Sequence, residues 1–381
     1  MADASRDGVP SLHMTAPDPT PDPSPDALEP TISADQVSLS RRLRQPRTIL
    51  SIVLPIGLLV LFVRSLPGFQ LDALPGKILS AQPALLLAAF VVFYLGFPLR
   101  GLRWATLVRR TGFPLRTRDG TEIIFISWLV NCLVPAKLGD IYRAYLLKIN
   151  TTVSLSRTFG TVFIERVLDL FAIAVLGMAA GLISFRSGLP TEVQIVLGIG
   201  IVVVVLLAVG LVTLRNAGRR ILIALPIPHK IVDFYDRFEE GVFAAVDLRA
   251  LPRLVVLTGL IWGIEAARLY LVVAAFGFPD VQLGISGAFF VALAGALLTA
   301  VPLTPAGIGV VEAGVVGLLT LLYGVPQTEA LAIVLVDRSI SVLSIIAIGS
   351  IAYAVSPRRR GAGLPDANGA SPGAAPGAVP G

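Results

Sequence analysis

The sequence predicts an all-α integral membrane protein, a polytopic bundle of about six to eight spanning helices with one or two re-entrant or broken hairpins. Three observations carry that expectation. Of 381 residues, 55% are apolar and 15% are charged, against about a quarter charged in soluble domains. The mean hydropathy is +0.80. The apolar residues fall in long runs, among them 48–63, 84–95, 193–214 and 254–264, rather than alternating with polar ones. Runs approaching about 20 residues match a hydrocarbon core of about 30 Å. Backbone groups in lipid must be satisfied internally, and helices do this.

The formal net charge is +6. Basic residues flank the apolar runs, so the positive charge reads as a topology signal and not as a nucleic-acid footprint. Cys132 is the one cysteine, so no internal disulfide forms. His13 and His229 stand far apart and lack ligand spacing, which argues against a metal site or other cofactor. The Pro-Asp-rich segment 1–40 and the Gly/Ala/Pro-rich segment 357–381 are expected to be disordered cytoplasmic tails. The first apolar run comes too late for a signal peptide.

Charge orients the elements between the tails. Arg41, Arg42, Arg44 and Arg47 place the start of a first helix (48–66) in the cytoplasm. A second helix (83–108) returns to a basic cluster of Arg100, Arg103, Arg109, Arg110, Arg116 and Arg118. Of these, Arg100 and the four from Arg109 onward read as topology anchors. The next stretch, 121–134, is short and stops at Pro135. A full span there would put the basic segments 215–253 and 358–360 outside. A cytoplasmic re-entrant hairpin over 121–148 avoids that conflict. Helices then follow at 156–184, 192–214 and 253–276, with 215–250 cytoplasmic and amphipathic near 231–246. The stretch 284–323 is broken at 302–309, and a last helix runs over 328–355. The transmembrane domain is 41–356, with halves at 45–185 and 190–356. The expected location is the inner or plasma membrane, with both termini cytoplasmic.

A short pattern occurs twice. Val134, Pro135, Ala136, Lys137, Leu138 and Gly139 resemble Thr304, Pro305, Ala306, Gly307, Ile308 and Gly309. About 30 residues after Pro135 comes Glu165-Arg166, and about 32 after Pro305 comes Asp337-Arg338. The charge topology gives the two halves opposite orientation. Paired Gly/Pro interruptions in inverted halves point to a transporter-type site near the midplane.

Charges inside apolar helices cost roughly 2.5–3.5 kcal/mol each on insertion scales, so they face the interior and serve function. Here they are Glu165, Arg166, Asp169, Glu265, Arg268, Asp337 and Arg338, with Glu312 after the second break. Arg166 with Asp169, and Glu265 with Arg268, have the spacing of a helical pair. Adjacent Asp337 and Arg338 diverge and need partners elsewhere. One reading is a wet cavity where arginines hold an anionic head group through bidentate bonds; the other is a set of packing salt bridges. Asn131 is expected to satisfy the broken backbone. Arg143, after the first break, either meets a phosphate from the cytoplasmic leaflet or snorkels.

Four motifs carry a resemblance. Asn131, Pro135, Lys137, Gly139, Asp140 and Arg143 are similar to Asn-x-x-x-Pro-x-Arg-x-Gly-Asp/Glu-x-x-Arg-Ala. Glu165, Arg166 and Asp169 resemble Glu-Arg-x-x-Asp. Pro302, Pro305, Gly307, Gly309 and Glu312 resemble Pro-x-x-Pro-Gly-Gly-x-Gly-x-x-Glu, and Arg338 a late helix arginine. Together, over about 45–356, they resemble the flippase-like transmembrane domain of lysylphosphatidylglycerol synthases and its stand-alone relatives. Lys137 departs from the commoner Arg, and Ala306 from a commoner Gly. The resemblance implies lipid translocation or lipid binding without aminoacylation or other catalysis. It implies a substrate site on Arg103, Lys137, Gly139, Asp140, Arg143, Glu165, Arg166, Asp169, Arg268, Pro305, Gly307, Gly309, Glu312 and Arg338. The expected partner is a phosphate-bearing membrane lipid, with envelope or lipid-biosynthesis enzymes as further partners. A lipid-linked transferase and a non-transporting assembly partner are the competing functions.

Overall fold

The structure is a computed structural model. It describes residues 57, 61 and 71–360, apart from 152, 187, 225, 227, 246–248, 278–282 and 300–303. The expected first helix (48–66), the tail 1–40 and residues 361–381 lie outside this range, save for positions 57 and 61. The described regular structure is helical throughout. In chain order the helices are α1 (Leu74–Leu79), α2 (Pro83–Arg110), α3 (Thr117–Leu133), α4 (Leu138–Asn150), α5 (Leu155–Ser184), α6 (Thr191–Asn216), α7 (Gly218–Ala224), α8 (His229–Ala245), α9 (Leu251–Phe276), α10 (Gly284–Leu298), α11 (Val310–Tyr323), α12 (Gln327–Arg338) and α13 (Ser344–Val355). A π-helical turn, Ser339–Leu343, joins the last two.

Among the described residues, six helical stretches are long and apolar enough to cross a membrane. They are α2, α5, α6, α9, the segment Pro305–Tyr323 containing α11, and the continuous arm Gln327–Val355. The chain is therefore a multi-pass membrane protein. α6 has a mean hydropathy of 3.3, and only 6% of its span is buried in the molecule. Ile195, Ile199, Val202, Val205, Leu206, Val209 and Val212 stand exposed along it. A helix hydrophobic all round belongs in lipid.

The core forms where α2 packs on α9, and α5 packs on α8 and α10. Phe93, Phe97 and Trp104 of α2 are buried there with Phe290 of α10 and Leu269 and Val272 of α9. α8, the expected amphipathic segment, docks on α5 through facing glycines. A Cβ on Gly160 would lie 2.4 Å from the Phe238 carbonyl oxygen, and one on Gly241 2.3 Å from that of Arg157.

α3 and α4 fold back on each other as an antiparallel hairpin. The reason is local. A residue before proline is pushed out of the α region, and Val134 is extended (φ −127°, ψ 136°). Ala136 and Lys137 then take left-handed backbone at φ 63° and 50°. The second break repeats this. Thr304 is extended before Pro305 (φ −132°, ψ 156°), and Ala306 and Gly307 follow at φ 51° and 73°. Left-handed non-glycine residues cost of order 1–3 kcal/mol each, so the surroundings must hold them.

One expectation needs correcting. Arg100 is not a surface anchor: it is 4% exposed inside the bundle, whereas Arg109, Arg110, Arg116 and Arg118 are exposed. The expected last helix (328–355) is the arm Gln327–Val355, which carries a π turn at Ser339–Leu343. The described residues run on past α13 to 360. Pro357–Arg360 form a 3-10 turn, tied down by an Arg358–Asp119 ion pair at 2.9 Å and by the Asn150 amide donating to the Arg358 carbonyl.

Candidate functional site: a charged cavity between the two breaks

Each break is bonded by polar groups from a neighbouring helix. At the first, the Gly139 N–H donates to Asn131 Oδ1 at 2.8 Å, and Ser127 Oγ donates to the Gly139 carbonyl at 2.8 Å. Asn131 thus satisfies broken backbone, as its place before Pro135 suggests. At the second, the Gly309 N–H donates to Glu312 Oε2 at 2.5 Å, and Arg338 Nη2 donates to the Ala306 carbonyl at 2.5 Å.

The same charge pair recurs beside each break. Arg166 on α5 grips Asp140 in the first turn of α4 through two bonds, Nε to Oδ2 at 3.0 Å and Nη2 to Oδ1 at 3.1 Å. Arg338 on α12 donates from Nε to Oε1 of Glu312, in the first turn of α11, at 2.7 Å. In both cases carboxylate and arginine are 26 residues apart.

Further pairs link these two corners. Arg103 lies between Asp169 (2.6 Å) and Glu165 (3.0 Å), with Thr258 Oγ1 3.0 Å from its Nη1. Arg166 also reaches Asp169 at 3.3 Å. The Trp262 indole N–H donates to Asp169 at 3.1 Å. Glu265 is shared by Arg100 (2.6 Å) and Arg268 (3.1 Å), and Arg268 pairs as well with Asp337. The helical spacings predicted two of these contacts, Arg166–Asp169 and Glu265–Arg268. Asp337 and Arg338 find separate partners, as neighbours pointing apart must.

These groups surround one cavity of about 230 Å³ between the two breaks. That is space for several waters or for a small polar head group. Of the residues expected to bind substrate, Arg103, Lys137, Glu165, Arg166, Asp169, Arg268, Gly307 and Arg338 line it. Gly139, Asp140, Pro305, Gly309 and Glu312 stand outside the wall; Asp140 and Glu312 hold Arg166 and Arg338, which line it. Arg143 is buried in the bundle and ion-paired. Its side chain is 2% exposed, 3.0 Å from Glu165, with its guanidinium carbon 5.0 Å from the centre of the Trp104 ring.

The expected set omitted Arg100, Trp128, Trp262, Glu265, Asp337, Thr304 and Ser341, all of which line the cavity. Arg100 and Arg103 are three apart in an apolar helix, a shared-face signal that their place in a basic cluster hid. Arg166 is the most open of the salt-bridged arginines here, its side chain 34% exposed.

The family profile described as the lysylphosphatidylglycerol synthase TM region matches residues 48–349. The chain belongs to that family. It is similar to a UPF0104 membrane protein of Methanocaldococcus jannaschii, 36% identical over 229 residues, covering 60% of this chain and 94% of the relative. A UPF0104 membrane protein of Methanothermobacter thermautotrophicus is 28% identical, covering 78% of this chain and 93% of the relative. The glycosyltransferase AglD of Haloferax volcanii is 29% identical over 335 residues, covering 78% of this chain. This chain spans 53% of the length of that last relative.

Proposed function

We propose that this chain is a flippase-like transporter. It takes an anionic or polyprenyl-type lipid by its head group into the charged cavity and passes it between leaflets of the cell membrane. The observation that carries the reading is convergence: arginines from α2, α5, α9 and α12 border one cavity that is closed by two interrupted helices. Buried salt bridges alone are weak contributors to stability, and ionisable groups within a membrane mark substrate pathways.

In this reading the α3–α4 hairpin is re-entrant from the cytoplasm, and the stretch 284–323, broken at 302–309, enters from the opposite face. The repeated arginine–carboxylate corners are the two halves of an inverted repeat. Both termini are cytoplasmic. Asp140 and Glu312 hold Arg166 and Arg338 in place when no lipid is present. An arriving phosphate then competes for the same forks.

The test is leaflet exchange of a labelled phospholipid or polyprenyl phosphate in proteoliposomes. The full chain speeds exchange; Arg166→Ala and Arg338→Ala slow it by about tenfold or more, in line with losing one charge-assisted bidentate contact. Exchange unchanged in both variants removes the assigned site.

A transferase is the second reading, and the name of the Haloferax volcanii relative favours it. Against it, the six carboxylates of this region each lie against an arginine, leaving none placed as a free general base. Covalent product on a lipid acceptor, formed by this chain alone, would reverse the ranking. A non-transporting role beside envelope or lipid-biosynthesis enzymes requires stable co-purification with such an enzyme and no exchange.

A further inference from the structure

The charges of this region count to a definite remainder. Arg100, Arg103, Arg143, Arg166, Arg268 and Arg338 are each ion-paired. The carboxylates they engage are also six: Asp140, Glu165, Asp169, Glu265, Glu312 and Asp337. Lys137 lines the same cavity, and no hydrogen bond or ion pair joins its ammonium to any described residue. Its left-handed backbone (φ 50°, ψ 36°) sets it at the tip of the first break, as the residue that starts α4. The region therefore carries one positive charge more than its own carboxylates offset.

From this, and resting on the lipid reading above, we infer that the site takes a head group of net charge −1, a phosphodiester, and that Lys137 supplies its counter-charge. An uncompensated charge in a low-dielectric hollow is costly, and a single opposite charge removes the cost. A phosphodiester carries one negative charge. A phosphomonoester, with a second pKa near 6, carries about −1.5 to −2 at neutral pH and overshoots. A zwitterion leaves the excess standing, and a net-positive head group adds to it. Lysine suits this task because its ammonium is a compact point charge on a flexible stem, able to follow a phosphate that the fixed arginine forks orient.

The test uses three short-chain lipids that share one acyl backbone: dihexanoyl phosphatidylmethanol (−1), phosphatidic acid (near −2) and phosphatidylcholine (zwitterionic). Each is titrated at neutral pH into the detergent-purified full chain. Binding is read from tryptophan fluorescence, since Trp128 and Trp262 line the cavity and are two of the three tryptophans. Phosphatidylmethanol is expected to bind roughly tenfold tighter than either competitor. Lys137→Gln should abolish that preference, with phosphatidylcholine drawing level, while Lys137→Arg keeps it. Phosphatidic acid binding as tightly as phosphatidylmethanol, or a preference that survives Lys137→Gln in protein with an unchanged elution profile, overturns the charge assignment and leaves the lipid reading intact. Binding of none of the three overturns both.

Discussion

Arg100 illustrates how one side chain changes meaning between sequence and fold. Glu265 accepts from it at 2.6 Å, and its guanidinium lies 4.5 Å from the centre of the Trp128 ring. Its Nη1 lies over Gly96, where a Cβ would meet it at 2.5 Å. Arg100→Ala leaves Glu265 with Arg268 alone in a buried setting, and breaking one side of a buried pair costs about 3–5 kcal/mol. A lowered thermal midpoint in detergent is the expected result. A stability within about 0.5 kcal/mol of the parent, the usual range for a surface change, would restore the topology-anchor reading. The partnerships of Asp337 and Arg338 were half legible: their adjacency excludes mutual pairing, but nothing in the chain names Arg268 or Glu312 as the answer. Those partners come from other helices, and only packing brings them within reach.

At the scale of elements, the two helix breaks were legible because proline constrains the residue before it, and Val134 and Thr304 are extended as that rule requires. The left-handed turns at Ala136, Lys137 and Ala306 were not, since glycine is the usual signal for such backbone and these positions lack it. The π turn at Ser339–Leu343 has no marker in composition either; it directly follows Arg338, at the cavity wall. Gly139 fixes how closely the hairpin closes. A Cβ there would sit 2.1 Å from the Ser127 carbonyl oxygen and 2.6 Å from Asn131 Oδ1. Gly139→Ala must push α4 away from α3, a strain of typically 1–3 kcal/mol. Gly263→Ala on α9 meets nothing within 4 Å and should be neutral or slightly stabilising, as alanine is in a helix. Equal thermal midpoints for the two variants would show that the hairpin does not depend on this contact.

For the whole molecule, apolar run length was enough to set the class, and the six candidate spans lie close to where hydropathy put them. The depth of each element relative to a bilayer is a different matter, because α3 and α4, at 17 and 13 residues, fall short of the about 20 residues of a full span. The proposed re-entrant placement rests on the charge of the intervening segments. What no local pattern conveys is that four helices distant in sequence deliver their arginines to one place. That convergence is the account's central claim, and an experimental structure of the full chain in lipid nanodiscs, with a phosphodiester lipid bound, tests it most directly. Head-group density in the cavity, with its phosphate within hydrogen-bond reach of Arg166, Arg338 and Lys137, is the result predicted. A phosphate seated outside the bundle, with Arg166 and Arg338 still locked to Asp140 and Glu312 around a hollow that excludes lipid, would contradict it.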